Sequence, residues 1–565
     1  MNVHYETNPI FDGDASTRRH DDLAVQRQNI RSRRWCWIAA AVIVAITAAV
    51  LWPVVTFDFI EWDDGHNILQ HPHVRSATVE DVLWHWQNPT AGLFIPLTYT
   101  IWALLAQVGD APNPAVYHTA NLLLHALAAV MVYVVVQRLI QRRTVATLAA
   151  LLFALHPVQV ESVAWVSGMK DVLFGLLTLT AVWQFIVFAQ TPLSMSRRWA
   201  SYGLCIAAFV AAMLSKPTAV VTPLILLAFG LIALRLPLRR ATMLVLPMLL
   251  LAIPCAIWTR QVQPARNVHT LVPMIQRPLV ASDALAFYVY KLALPLNLAP
   301  DYGRSPRWVM QERWAYVSWL LPAALALLVW RQRRELPLVA LGACTFVVAL
   351  LPVLGFVPFD YQGKSTVADH YLYLPMAGVA LAAAAIVARF DNHSVRAVAV
   401  LALLLWAGIS HAQAWHWRAT QPLFEHTLAV NPRSWVALTN LSSRALAEER
   451  FHDAERLARQ AVHAREDHFD AWHNLGSALA QQNRLREAAN AYRRAIEANP
   501  NVAETHIAYA YAIAVLGQHE LAIQHFERAL QLEPSNRSAR QLLDQLRRHL
   551  PAADPPATSP NLPPS

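Results

Sequence analysis

Apolar runs of about 18 residues or more recur along the first three quarters of this chain, each long enough to cross a hydrocarbon core of roughly 30 Å as a helix. Such segments limit the possible folds severely, because backbone polar groups in lipid must be satisfied within the protein, and only helices and closed barrels achieve that. The pattern predicts eleven crossings, near residues 35–55, 117–137, 145–164, 171–190, 199–215, 218–234, 241–259, 314–330, 336–357, 371–388 and 395–413. Composition agrees, with 56% of residues hydrophobic and only 15% charged.

Orientation follows from the arginines, since short loops rich in Lys and Arg stay cytoplasmic. Arg31, Arg33 and Arg34 precede the first crossing, and further clusters at Arg142 and Arg143, Arg197 and Arg198, Arg235 to Arg240, Arg331 to Arg334 and Arg389 to Arg396 fall at every second connection. An odd number of crossings then places residues 1–34 in the cytoplasm and the C-terminal region outside it. Two further apolar stretches, Leu93 to Val108 and Leu279 to Leu298, would break this alternation if they spanned. Both carry proline and Trp or Tyr and read as helices at the interface or re-entering against protein. The formal charge of +9 reflects these arginine clusters and reports orientation and anionic-lipid contact, not nucleic acid. Cys36, Cys205, Cys255 and Cys344 fall in or beside apolar segments, so neither a disulfide framework nor a CxxC metal site is available.

From about residue 420 the chain becomes charged, Ala-rich amphipathic helix with a period of 34. Ala454, Ala488 and Ala522 align, as do Ala461, Ala495 and Ala529; Tyr492 matches Phe526, and Pro432, Pro500 and Pro534 mark repeat ends. The segment 420–545 therefore reads as at least three tetratricopeptide repeats, helix pairs stacking into a concave solenoid that holds a peptide or partner near Asn440 and Asn474. The alternative is a spacer or dimerisation array. Residues 550–565 are Pro-rich and read as disordered. The fold class expected is all-α, a polytopic membrane helix bundle at 35–415 followed by an α-solenoid.

Chemistry is sought in the outward loops, the first of which (57–92) holds Asp58, Glu61, Asp63 and Asp64 within seven residues. Carboxylates beside a crossing are costly unless they face water or a cation, which marks a functional site, against the alternative of a solvated acidic loop. For glycosyl transfer, a carboxylate accepts the proton of an attacking hydroxyl and a cation holds a departing lipid phosphate. Asp63 and Asp64 are the carboxylate candidates. Lys216, in Ser215-Lys216-Pro217, and Lys170, in the turn Gly168 to Asp171, are the first cation candidates, with Arg266, Lys291, Arg304 and Lys364 further outward possibilities. His66, His71, His73 and His85 do not have a zinc or iron spacing; a hard divalent cation bridging carboxylate and phosphate is the metal this chemistry would take. His156 with Glu161 lies at the outward end of the third crossing, either as a site element or as a helix-end cluster.

Several motifs together resemble the polytopic GT-C glycosyltransferases that carry C-terminal tetratricopeptide repeats, including the transmembrane O-mannosyltransferases and their bacterial relatives. The residues that carry the resemblance are Trp62-Asp63-Asp64, Tyr117 to Leu122 with His125, Leu155 to Val158 with Glu161, Gly168 with Asp171, Ser215-Lys216-Pro217, Pro295 to Leu298 with Asp301-Tyr302, and Ala368 to Pro375. The resemblance implies inverting transfer of a sugar, a hexose such as mannose, from a polyprenyl phosphate to a Ser or Thr hydroxyl on the exoplasmic face. It implies catalysis at Asp63 and Asp64, phosphate binding at Lys216, Lys170 and His370, and support from Glu61, His156, Glu161, Asp171 and Asp369. No resident metal or cofactor is assigned, the lipid-linked sugar being a substrate. One departure stands out: relatives commonly have Arg where His370 precedes Tyr371-Leu372-Tyr373-Leu374-Pro375, so either His370 is protonated, another cation substitutes, or activity is reduced. The expected setting is a bacterial inner membrane with a periplasmic solenoid. The rival readings are a non-catalytic membrane scaffold for envelope or polysaccharide assembly, and an oligosaccharide ligase or polymerase.

Overall fold

The computed structural model describes residues 34–109, 112–190, 194–262, 272–390 and 392–549. Residues 1–33, Arg266 and the Pro-rich segment from 550 lie outside that set. Among the described residues the only β-type pairing is an isolated bridge between Thr90 and Leu93. The protein is all-helical.

Among the described residues seven helices are long and apolar enough to cross a membrane: Arg34–Thr56, Pro114–Ile140, Val166–Gln190, Met195–Ser215, Leu238–Val262, Arg313–Gln332 and His393–Arg418. An eighth candidate is the pair Arg143–Leu155 and Pro157–Ala164, bent by 52°. Proline explains the bend, because its ring excludes the helical conformation from the preceding residue, and His156 accordingly sits at φ −71, ψ 131. Three shorter apolar helices, Pro217–Ala233, Pro337–Val353 and Pro375–Arg389, occupy the remaining expected segments. Pro96–Ala106 has only 11 residues, about 16 Å of helix, and buries Tyr99 and Trp102 against the protein. In contrast, Leu320–Gln332 buries none of its residues and leaves Leu321, Leu325, Leu328 and Trp330 exposed. That distribution suits a lipid-facing helix, for which hydrocarbon is the solvent.

The two ends of the bundle are distinct. At one end Arg142 donates to the Ala388 carbonyl (2.9 Å), Arg138 to Gln190 (3.2 Å) and Arg198 to the Phe188 carbonyl (3.1 Å), which gathers three of the basic connections. At the other end Thr98 donates to the Ser215 carbonyl (3.1 Å) and Ser410 to the Leu155 carbonyl (2.7 Å). Helices Pro337–Leu350 and Pro375–Arg389 approach so closely at Gly342 and Gly378 that a Cβ on Gly378 would stand 2.4 Å from the Gly342 carbonyl oxygen and 2.9 Å from Phe346 N. Gly378→Ala must therefore separate the two backbones, and we expect a loss of about 1–3 kcal/mol, read as a lowered thermal midpoint in detergent.

The C-terminal helices begin at Trp435, Phe469, Ala503 and Arg537, a constant spacing of 34, and form three antiparallel pairs with a final helix. The aligned alanines 454, 488, 522, 461, 495 and 529 are all fully buried, because only a methyl fits where paired helices touch. Gly476 serves the same purpose against the Tyr492 ring. The solenoid is seated on the loop end of the bundle. Glu61 N donates to Thr420 Oγ1 (2.8 Å), Asp58 N to the Arg418 carbonyl (3.0 Å), and Ser434, the N-cap of Trp435–Ala447, donates to buried Asp301 (2.6 Å). Trp165, Trp417, Leu423, Phe424 and Val436 share one apolar cluster across this junction. The acidic loop and the repeats therefore lie on the same face, away from the arginine-rich end.

Candidate active site

The neighbouring carboxylates of the first loop have opposite environments. Asp64 is completely buried and accepts three hydrogen bonds, from Ile60 N (3.0 Å), Ser167 N (2.9 Å) and Ser167 Oγ (2.6 Å). Asp63 keeps 36% of its side chain exposed and stands 3.9 Å from Lys170 Nζ. Asp64 thus fastens the loop to the turn 165–168, and Asp63 stays partly exposed beside the Lys170 ammonium group.

Burial pushes the Asp64 carboxyl up to about 6, against the lowering effect of the Ser167 and Ile60 hydrogen bonds and with a further push from the Asp63 charge. A raised carboxyl keeps its proton in the folded state after the unfolded chain has lost it. The stability it contributes is therefore complete below about 3.8 and is lost as pH rises through about 6. We expect the difference in thermal midpoint between the parent and Asp64→Asn to shift against the parent between these values and to stay level above them.

Around Asp63 the residues form an aromatic wall carrying cations. Trp62 stacks on Trp165 with centroids 5.2 Å apart and planes at 10°. Lys170 lies 4.8 Å from the Trp165 ring and Lys364 4.9 Å from the Trp62 ring, so the stacked indoles have an ammonium near each. Behind them Lys216 pairs with Asp171 and sits 5.3 Å from the Tyr371 ring. Glu161 Oε1 is hydrogen-bonded to His370 Nδ1 (2.7 Å) and its Oε2 accepts from Asp369 N (3.1 Å). Asp369 in turn accepts from Tyr302 OH at 2.9 Å. Burial and then the charges of Lys216, Lys170 and Lys364 hold the His370 imidazole well below its usual value, while burial and then the charges of Asp369 and Asp171 push the Glu161 carboxyl well up.

The tertiary structure sorts the sequence candidates. It brings Asp63, Asp64, Lys170, Lys216, Asp171, Glu161, Asp369 and His370 into one region. Glu61 lies at its rim, 3.7 Å from Arg444 of the first repeat. His156 is turned away, donating from Nε2 to the Leu292 carbonyl (3.1 Å) and accepting at Nδ1 from Val158 N (3.4 Å). Lys291 is held by the Leu296 and Asn297 carbonyls, and Arg304 by Asp283 at 2.7 Å. Asn474 spends its amide on the Thr439 carbonyl (3.1 Å) and Asn440 on the Val436 carbonyl (2.8 Å). His85 stacks on Tyr99 and meets Trp84 edge-on, His71 packs tilted against His85 and Tyr99, and His73 bonds Asp81 (2.6 Å). Among the described residues no three His, Cys, Asp or Glu side chains converge as a metal cage.

Sequence reasoning missed Ser167, whose only local signal is its place three residues before Lys170, and the Trp62–Trp165 stack. The Tyr117 to His125 motif proves to be bracing. Tyr117 donates to the Trp102 carbonyl (3.0 Å), Asn121 to the Trp165 carbonyl (2.9 Å), and His125 bonds Tyr373 OH (2.9 Å) and the Ala154 carbonyl (3.1 Å).

A tetratricopeptide repeat family model matches residues 439–489 and 474–539. The C-terminal domain is a tetratricopeptide-repeat solenoid. Among curated proteins, the chain is similar to the protein O-mannosyl-transferase TMTC3 of Mus musculus, 24% identical over 518 residues, covering 81% of this chain and 55% of the relative. The Homo sapiens TMTC3 is 22% identical over 519 residues with the same coverage. The Caenorhabditis elegans protein O-mannosyl-transferase F38B6.6 is 22% identical over 331 residues, 56% of this chain and 46% of its own. The chain spans about half the length of the curated relatives it matches. These relatives fall within the group that the motifs of the membrane region resemble, and the tetratricopeptide-repeat solenoid completes that resemblance in a multi-pass membrane protein.

Proposed function

We propose that this chain is a membrane glycosyltransferase that moves a hexose from a polyprenyl-phosphate donor to a hydroxyl of a protein acceptor on the exoplasmic face. The observation that carries the reading is the division of labour in the first loop: Asp64 is locked by Ser167, and Asp63 is exposed 3.9 Å from Lys170 at the junction with the solenoid. Asp63 accepts the proton of the acceptor hydroxyl as its oxygen attacks the anomeric carbon. The bond from that carbon to phosphate breaks, and the electron pair leaves with the lipid phosphate. Attack from the face opposite the phosphate inverts the anomeric centre.

Charge develops on the phosphate, and the ammonium groups near it decide where the donor sits. Lys170 and Lys364 rest on indole faces, whereas Lys216 is already balanced by Asp171. Lys170 is thus the principal phosphate partner and Lys216 a supporting one. The solenoid contacts the same loop through Thr420 and Arg444, which suits delivery of an extended protein segment to Asp63. The names of the relatives, all protein O-mannosyl-transferases, support a protein acceptor and a mannose-type sugar.

The test is intact-mass comparison of exported proteins from cells with and without this chain, combined with purified protein supplied with polyprenyl-phosphate mannose. The expected result is an increment of one hexose on Ser or Thr. Absence of any increment on proteins, with partner binding by the repeats intact, would favour the scaffold.

A further inference from the structure

The first helices of successive repeats lie side by side and form one face of the solenoid. Asn474, on Phe469–Gln481, donates to the Thr439 carbonyl of Trp435–Ala447 (3.1 Å), and His473 is hydrogen-bonded to Thr505 Oγ1 of Ala503–Val515 (3.1 Å). On Ala503–Val515 the residues Glu504, Ala508, Tyr511 and Val515 follow at intervals of four, three and four, which sets them in one stripe, while His506, Ala510 and Ile513 of the same helix are buried. Among the described residues of the solenoid, Tyr511 and Val515 are the only large apolar side chains left exposed, at 53% and 57%. At the other end of the stripe Glu504 is exposed and Asp470, on the neighbouring helix, half-exposed. Their ion-pair partners among the described residues are histidines alone, His468 Nε2 at 3.4 Å from Asp470 and His473 Nε2 at 3.9 Å from Glu504. Burial and then the charges of Arg465 and Lys364 hold His468 down to about 3, and burial holds His473 below its usual value against the pull of Glu504. Burial and the Glu504 charge push the Asp470 carboxyl up to about 6, so at neutral pH two carboxylates stand within electrostatic reach of each other without a full counter-charge.

The complement of the acidic end is a Lys or Arg side chain, and that of the other end is apolar. From Glu504 to Tyr511 the helix rises about 10 Å, a distance that an extended chain covers in about three residues. The face is also continuous with the candidate active site. Lys364 lies 4.9 Å from the Trp62 ring, its charge acts on His468, and the His468 ring packs 4.2 Å from that of Trp435. We propose that this face docks an extended segment of the acceptor protein, with a Lys or Arg side chain at Asp470 and Glu504 and an apolar side chain on Tyr511 and Val515. The inference rests on the protein-acceptor reading above and names the chemistry of the acceptor beyond its hydroxyl.

The experiment measures, by fluorescence anisotropy, binding of labelled Ser-containing peptides to the detergent-purified full chain. One peptide carries Lys and Leu about three positions apart, a second has Glu in place of the Lys, and a third has Gln in place of the Leu. We expect the parent to favour the first over each of the others by about 3–10-fold, the worth of one partly screened ion pair or one half-buried apolar side chain. Asp470→Asn with Glu504→Gln should abolish the preference for Lys, Glu504→Lys should turn it towards Glu, and Tyr511→Ala should abolish the preference for Leu. All of these side chains are at least partly exposed, so the thermal midpoints should stay level. Equal binding of the three peptides by the parent, binding of none, or a Lys preference that survives both carboxylate changes overturns the docking proposal and leaves the transferase reading standing. Hexose transfer is read separately on the same samples. A parent that adds hexose to no protein defeats the protein-acceptor reading, and the acceptor role of this face with it.

Discussion

Asp63→Asn is expected to lower sugar transfer by about 10²–10⁴-fold, the usual contribution of a positioned general base. The substitution keeps the side-chain shape and removes only the ability to take a proton. Because 36% of the Asp63 side chain is exposed and its nearest charge is Lys170 at 3.9 Å, the fold does not depend on it and the thermal midpoint should not move. Loss of a carboxylate beside Lys170 also leaves that ammonium freer for phosphate, so the donor KM should stay level or fall while kcat collapses. Asp64→Asn behaves differently. It disturbs the hydrogen bonds to Ile60 and Ser167 and should lower activity and stability together, the mark of a residue acting through its neighbour. Transfer rates and unfolding curves for the two variants separate these roles. Undiminished transfer by Asp63→Asn would remove the base from the mechanism.

Asp171→Ala is expected to be the most destabilising of these changes. It strands the Lys216 ammonium, 9% exposed, without the carboxylate that balances it. Removing one partner of a buried ion pair costs about 3–5 kcal/mol, much of it the penalty of leaving the other charge unmatched. The double variant Asp171→Leu with Lys216→Met removes both charges and should recover most of the thermal midpoint, since the desolvation cost disappears with them. Transfer should not recover if the Lys216 charge helps to hold the phosphate. Thermal unfolding in detergent and a donor-binding assay on the same samples distinguish the two effects. A double variant as unstable as Asp171→Ala would show that packing, not charge, holds this point together.

Much of the site was visible as residue types without being visible as an arrangement. Asp63 and Asp64 stand side by side in the chain, and nothing local tells them apart; the bond to Ser167, 103 residues away, buries one and leaves the other open. Lys216 appeared as a cation at a helix end, but its Asp171 partner lies 45 residues away. His370 was legible as a departure from the motif. Its pairing with Glu161, separated by 209 residues, was not. His156 looked equally suited to the site until Pro157 ended its helix and turned the ring to the Leu292 carbonyl.

The sequence by itself determined the helical class, the order of the apolar segments, the arginine-rich end and the 34-residue repeat. Each of these is recorded locally, because the solvent beside a segment, lipid or water, dictates which side chains it carries and at what period. Only the tertiary structure decided which carboxylate is buried, which lysine is balanced and where the solenoid rests. Those outcomes depend on contacts between segments far apart in the chain, and the free energy of a charge is set by whatever the fold brings within a few ångströms of it.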